Sequence, residues 1–420
     1  MPQKAGARKT KRFSHRLKFK MGPAMNSNPL SYLHDQLAEL EAKGLHFRLR
    51  VLDGEQKPIA HFDGKDVINL GSNNYLGLTT QKSLRRAAIE AIRTHGVGAG
   101  AVRIIAGTMD LHMALEEQIA KFKGTEACVV FQSGFTANSG TVAAVLGKDD
   151  LILSDELNHA SIIDGCRLSR ATIKVFKHAD VADCARLCEE TKDWPGHKLL
   201  ITDGVFSMDG DIAPLPELCT LAEKYNCIMM VDDAHSSGVL GKGGRGTVDH
   251  LGCHGRVHIQ VGTMSKAIGS MGGYVCGSRD LIHFLYRRAR PFLYSTGHPP
   301  SVIATCQAAF TLLDSPEGDK LIKKLWSNTK FFQRRLKKLG FQIGATQTPI
   351  TPIHVGEGVK AFEFSRRLYD EGVYIPGVGA PTVAEGKARL RAIVTATHKR
   401  ADLEKACSII GHVGHSLGIV

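Results

Sequence analysis

Short apolar runs recur along this chain, separated by stretches whose apolar residues come every three or four positions. From about residue 66 to 300 the runs fall at 67–70, 127–131, 151–153, 173–176, 199–202, 228–231 and 257–261. Each has the length of a strand, and most lack polar alternation, as strands covered on both faces do. Helical spacing fills several gaps, most clearly at 115–123 and 216–225. This alternation predicts an α/β fold on a large, mostly parallel sheet, with ligands held beyond the carboxyl ends of its strands. After the Arg290-Pro291 break come a helical region at 300–339, short strands, a helix near 361–371, a last strand at 389–395 and a terminal helix. That order predicts a smaller C-terminal α+β domain. Upstream, Leu30, Leu33, Leu37 and Leu40 space an amphipathic helix that Gly44 can close. The expected division is a basic tail at 1–25, a helix and arm at 26–65, a large domain at 66–299 and a smaller one at 300–420.

Composition narrows the class. Hydrophobic residues make up 43% of the 420 and charged residues 23%, which suits a folded globular chain. No apolar run reaches the roughly 18 residues that span a bilayer, so no membrane partner is expected. The net charge of +13 suggests nucleic acid, but eight of its cations lie in the first 25 residues, and no acid precedes Asp35. Without those eight the charge is +5. Aromatics are only 6% and are not interleaved with basic residues, so nucleic-acid binding is not expected. The tail itself has three readings: an organellar transit segment, a solvated arm, or an extension ahead of a start at Met21 or Met25. Lacking an amphipathic Arg/Ser/Leu period, it favours the last two and a cytoplasmic protein, with organellar import the alternative.

The ten cysteines form no CxxC pair and several sit in apolar runs, as buried thiols of a reducing compartment do. His250, Cys253, His254 and His258 cluster in the sequence, but their spacing fits no zinc pattern, and no metal is expected.

Two strand ends carry the candidate chemistry. Lys266 follows the run at 257–261 among small and apolar neighbours, Ala267, Ile268 and Gly269, an unusual setting for a surface lysine. Such a lysine loses its proton more readily and can act as nucleophile and base. Asp232 ends the run at 228–231 beside Asp233, with His235 three residues on. Adjacent acids ending a buried strand repel unless one has a cationic partner. A Schiff-base lysine together with an acid for a pyridinium nitrogen is what pyridoxal 5'-phosphate (PLP) requires. The Ser133-Gly134 turn after the run at 127–131 opens a helix and offers N–H groups to a phosphate. The glycine-rich pieces at 96–100 and 241–246 match no nucleotide loop.

Taken together and in order, five motifs closely resemble the α-oxoamine synthases, fold-type I PLP enzymes that condense an amino acid with an acyl-CoA. They are Asn73-Asn74-Tyr75-Leu76-Gly77-Leu78, Asp155-Glu156-Leu157-Asn158-His159-Ala160-Ser161, the segment from Thr202 to Asp211, Asp232-Asp233-Ala234-His235 and Thr263-Met264-Ser265-Lys266. The resemblance runs from about residue 30 to the C-terminus. It implies that Lys266 forms the Schiff base, Asp232 binds the pyridinium nitrogen and His159 stacks on the ring, these three being catalytic. It implies that His235 and Ser207 meet the phenolate oxygen, and that Ser133, Gly134, Phe135, Thr263 and Ser265 surround the phosphate. Arg391 would hold the substrate carboxylate with Asn73 nearby. Ser295 and Thr296 would reach the phosphate of the partner subunit, which implies a homodimer with shared active sites.

Within that family, the segment from Gly98 to Thr108 and Gly272-Gly273-Tyr274 resemble the glycine C-acetyltransferase (2-amino-3-ketobutyrate CoA ligase) branch. Glycine with acetyl-CoA is the expected substrate pair. The alternative is the 8-amino-7-oxononanoate synthase branch, with alanine and a pimeloyl thioester, or both activities in one enzyme. Serine palmitoyltransferase is less expected, for want of a membrane-seeking segment. A PLP aminotransferase would share Lys266 and Asp232.

Overall fold

The computed structural model describes residues 28–42 and 49–420 and divides into two compact units, Met1–Leu49 and Arg50–Val420. In the first unit the described part is the helix α1 (Tyr32–Ala42), with the exposed Leu33, Leu37 and Leu40 on one face. The basic tail and Gly44 lie outside the described residues.

The second unit opens with a hairpin of β1 (Ile59–Phe62) and β2 (Lys65–Asn69), paired from Phe62–Lys65 to Ile59–Ile68. Its two-residue Asp63-Gly64 turn has positive φ at both positions, 49° and 82°, as a tight hairpin twisted with its strands requires. Sequence pattern put the run at 67–70 first in the large sheet. In the structure it belongs to a separate three-stranded sheet, because β2 pairs parallel with β11 (Val373–Tyr374), some 300 residues away. Local pattern carries no trace of that partner.

Seven strands build the large sheet: β3 (Ala127–Phe131), β4 (Leu151–Asp155), β5 (Thr172–Phe176), β6 (Lys198–Asp203), β7 (Ile228–Asp232), β8 (Ile259–Thr263) and β9 (Gly273–Gly277). Their order is β3-β9-β8-β7-β6-β4-β5, and β9 runs antiparallel to both its neighbours while the rest are parallel. The expected mostly parallel sheet is there. The glycine-bounded β9 was not foreseen, because a strand edged by glycines lacks the side chains that mark one. Gly273 has no alternative at this packing distance: a Cβ there would lie 2.2 Å from the Ser133 carbonyl oxygen. Alternate residues of the inner strands feed two cores, Ile152, Ile201 and Met230 on one face and Leu151, Leu200 and Met229 on the other. Burying these aliphatic side chains contributes roughly 1.5–3 kcal/mol each before entropy is counted.

A third sheet has the order β10-β13-β12, from β10 (Ile350–Gly356), β12 (Gly377–Val378) and β13 (Ala388–Ile393). The helical region at 300–339 is two helices, Pro300–Leu313 and Pro316–Lys338, the second capped by the Ser315 hydroxyl. The boundary expected at 299/300 is not a break in packing. Phe310, on the first of these helices, meets Phe122 of α3 (Asp110–Lys123), the helix after α2 (Lys82–His95), edge-on at 5.1 Å. Apolar surface on that helix is buried against the preceding part of the chain, which spacing along the sequence does not reveal. Among the described residues no helix is long and apolar enough to cross a membrane.

Candidate active site

The carboxyl ends of the central strands bring the site together. Register sets Asp203 of β6 beside Asp232 of β7, and Asp232 beside Val261 of β8. Asp232 is buried; its Oδ1 accepts from the Ala234 N–H at 2.7 Å and its Oδ2 from Asn138 Nδ2 at 2.6 Å. Asp233 turns away, to Lys123 at 2.7 Å. Crowding is felt at Asp203, where burial and the adjacent Asp232 raise the carboxyl well above its usual range. Its Oδ2 accepts from the His159 N–H at 2.7 Å.

Lys266 lies just past β8 on a turn whose neighbours Met264, Ala267 and Ile268 are buried. Burial lowers its pKa to about 8, Asp232 pulling upward and Arg391 adding to the fall. Among the described residues nothing hydrogen-bonds or pairs with its Nζ. A half-buried amine of this kind is free to bond to a ligand and to exchange a proton near neutral pH.

Two histidines flank it. His159 caps the N-terminus of α5 (Ala160–Ser169), its Nδ1 2.7 Å from Ser161 Oγ and 3.2 Å from the Ser161 N–H. Burial pushes its pKa down. His235 is buried, its Nδ1 2.8 Å from the Tyr75 hydroxyl, and burial holds the imidazole well below its ordinary value. The Tyr75 phenol is itself pushed up to about 12, chiefly by burial.

A third cluster sits where α4 (Gly134–Val145) begins. Ser133 caps this helix, its hydroxyl accepting from the Thr136 N–H at 3.1 Å. Gly134 abuts β8 so closely that a Cβ there would lie 3.3 Å from Thr263 Cβ. Thr263 Oγ1 donates to the Gly272 carbonyl at 2.8 Å and lies 2.7 Å from Ser265 Oγ. Phe135 is exposed beside them. First-turn N–H groups of a helix, two hydroxyls and a glycine approach make a seat for a phosphate. With a half-buried amine and a buried carboxylate beside it, this donor set fits PLP.

Arg391 arrives from β13. Its Nε donates to the Ser207 carbonyl and its Nη1 to Asn73 Oδ1 at 3.1 Å. The structure thus joins Arg391, Asn73 and Ser207, though Ser207 enters through its backbone. Ser295 and Thr296 follow the short helix Arg290–Leu293; the Thr296 carbonyl accepts from Gln132 at 2.9 Å, beside Ser133, and Thr296 is exposed.

Sequence reasoning missed several neighbours. Ser161, Tyr75 and Asp203 each lie inside a quoted segment without a role, and Asn138 lies just past the Ser133-Gly134 turn, because only the fold shows what they touch. His178 was missed altogether: its ring bridges Asp155 at 3.1 Å and Asp211 at 2.8 Å, edge-on to Phe206. In the segment that suggested the acetyltransferase branch, Arg103 has a structural role. Arg103, in a π-helical turn (Arg103–Gly107), is buried against Glu116 through bonds of 2.9 and 3.1 Å. Glu116 also takes the Val130 N–H and the Tyr286 hydroxyl.

A poised amine, a strand-end acid and a helix-capped seat suited to an anion on this sheet fit a fold-type I PLP enzyme. The chain belongs to the aminotransferase class I and II family, whose profile matches residues 65–410, and within it to the PLP-dependent α-oxoamine synthases. It is 54% identical over 391 residues to an 8-amino-7-oxononanoate synthase of Thermoanaerobacter pseudethanolicus, covering 93% of this chain and 98% of that one. It is 53% identical to the Symbiobacterium thermophilum protein of the same name, covering 93% and 99%. Among solved structures, serine palmitoyltransferase from S. paucimobilis with PLP and myriocin bound is similar at a TM-score of 0.89 and 30% identity, covering 94% and 100%. The chain is a PLP-dependent acyltransferase.

Proposed function

We propose that this enzyme is an 8-amino-7-oxononanoate synthase that joins alanine to a pimeloyl thioester. The observation that carries this reading is the 54% and 53% identity, over nearly the whole chain, to two enzymes of that name. It reverses the order expected from the sequence, which put glycine with acetyl-CoA first. The segment behind that order holds Arg103 against Glu116, a bond that says nothing of acyl length.

In this reading Asp232 accepts the pyridinium N–H and His159 covers one ring face. His235, oriented by Tyr75, and Ser207 lie toward the phenolate oxygen. Ser133, Gly134, Phe135, Thr263 and Ser265 surround the phosphate. Ser295 and Thr296 extend to the phosphate held by the partner subunit of a homodimer. When bound, PLP supplies an electron sink that acidifies the Cα–H of the amino acid. Lys266 Nζ would take that proton. Arg391 grips the amino-acid carboxylate, and Asn73 steadies the guanidinium.

The deciding experiment measures kcat/KM for alanine with pimeloyl-CoA and for glycine with acetyl-CoA in one preparation. The proposal expects the first pair to lead by at least tenfold. A lead for glycine with acetyl-CoA overturns it. A pocket discriminates one methyl by only ~1–3 kcal/mol, so the amino acid alone is the weaker test and the acyl group the stronger.

A further inference from the structure

Asn138 ties two residues of the site together from behind. Its Nδ2 donates to Asp232 Oδ2 at 2.6 Å and to Ser161 Oγ at 2.9 Å, which uses both amide hydrogens. The reversed amide would set Oδ1 against a carboxylate oxygen at that distance, and repulsion excludes it. The orientation that remains leaves Asn138 Oδ1 buried and, among the described residues, without a partner. An orphaned acceptor is destabilising, so this position is held for its two donors.

The direction of the next bond follows. Ser161 Oγ receives from Asn138 and lies 2.7 Å from His159 Nδ1. The Ser161 backbone N–H approaches the same nitrogen at 3.2 Å. A backbone N–H can only donate, so that nitrogen carries no proton, the Ser161 hydroxyl gives it a hydrogen as well, and the proton of the neutral ring sits on Nε2. The charged and titratable groups around this ring are Asp203 on β6, Asp232 on β7, Lys266 after β8, and His235.

We propose that Asn138 and Ser161 are positioning residues: a two-residue relay that holds the Asp232 carboxylate in place and fixes His159 as its Nε2–H tautomer. The relay rests on the reading of Asp232 and His159 as cofactor contacts, and it couples them. Whatever keeps Asp232 an acceptor also keeps the Ser161 hydroxyl aimed at His159. Without Asn138, the hydroxyl is free to accept from a protonated Nδ1 instead.

The test is [15N]histidine NMR of the apoprotein and the PLP-loaded protein, with His159 identified by its loss in His159→Asn. Wild type should show an unprotonated Nδ1 in both forms. In Asn138→Leu the Nδ1-protonated form should appear, with the His159 titration moving up by about one pH unit, a tenfold shift in its protonation equilibrium. PLP release should quicken by about tenfold as Asp232 loses a hydrogen bond. Ser161→Ala should move the titration the same way by less, since it removes a donor to Nδ1 without supplying an acceptor, and Ser161→Thr should restore it. If Asn138→Leu does not fold, the Ser161 pair decides alone. An Nδ1–H tautomer in wild type, or an unchanged titration in the folded variants, overturns the relay. Failure of wild type to take up PLP would defeat the reading of the site, while the apoprotein spectrum would still judge the relay.

Discussion

Lys123 Nζ and Asp233 Oδ2 meet at 2.7 Å with both side chains shut away from solvent, one from the end of α3 and the other from the residue after β7. Lys123 also donates to the Arg245 carbonyl at 2.6 Å, and Asp233 accepts from the Ser236 hydroxyl at 2.5 Å and the Thr247 N–H at 3.1 Å. This pair resolves the repulsion expected of adjacent acids. Asp233 takes a lysine of the protein, and Asp232 is left to face the site. It also explains Gly246, the last glycine of the piece at 241–246, because a Cβ there would fall 2.1 Å from Asp233 Oδ2 and 2.7 Å from Lys123 Nζ.

Lys123→Met should therefore destabilise the protein by roughly 3–5 kcal/mol, since it strands a buried carboxylate. The double variant Lys123→Met, Asp233→Leu should recover much of that loss. Urea midpoints of the three proteins at pH 7 measure it. An unchanged midpoint in Lys123→Met would show that the pair contributes nothing.

The strands of the large sheet were legible because burial on both faces leaves an unbroken apolar run, as in Ile228-Met229-Met230-Val231. Pairing was not, since β2 finds β11 only after the chain has closed. The site divides in the same way. Lys266 and Asp232 announce themselves by sitting charged beside buried apolar strands. Arg391 does not. Arg389 and Arg391 lie two apart on β13, are both buried and share a face, yet Arg389 bonds to Asp209 and Arg391 to Ser207 and Asn73. Resemblance alone singled out Arg391, and Asn138 and Ser161 acquire meaning only from distances.

Arg391→Lys should raise the KM for the amino acid by about 10- to 100-fold while lowering kcat less. Lysine keeps the charge but loses the planar fork that grips a carboxylate through two parallel bonds. Steady-state kinetics with the thioester held saturating measure it. Should KM stay within twofold of wild type, the carboxylate lies elsewhere.

His178 should make stability pH-dependent in a defined direction. Burial opposes its charge, but Asp155 and Asp211 outweigh burial and hold its pKa up to about 10. The folded protein then binds more protons than the unfolded chain between about 6.5 and 10, so the stabilisation is complete below that window and fades as pH rises through it. Relative to His178→Asn, wild type should be more stable by roughly 2 kcal/mol at pH 6, the worth of a hydrogen bond to a charged group, and by little at pH 10. A difference that stays constant with pH would mean the ring is neutral.

Lys266→Met should separate the chemical role of this lysine from its energetic one. Catalysis should fall by about 10³-fold or more, because the nucleophile and the base are lost together. Stability should move the other way. In the folded apoprotein the Lys266 pKa is about 8, below its unfolded value of about 10.5. Below pH 8 both states carry the charge and the fold bears the cost of burying it. Between 8 and 10.5 the unfolded chain holds more protons, so wild-type stability rises with pH. Methionine has no charge to bury, so the variant apoprotein should unfold at higher urea than wild type at pH 7, and the gap should close toward pH 10.5. A variant less stable than wild type at pH 7, or a gap that does not narrow, would show that the ammonium is paired or solvated and that Lys266 is not the poised amine its surroundings imply.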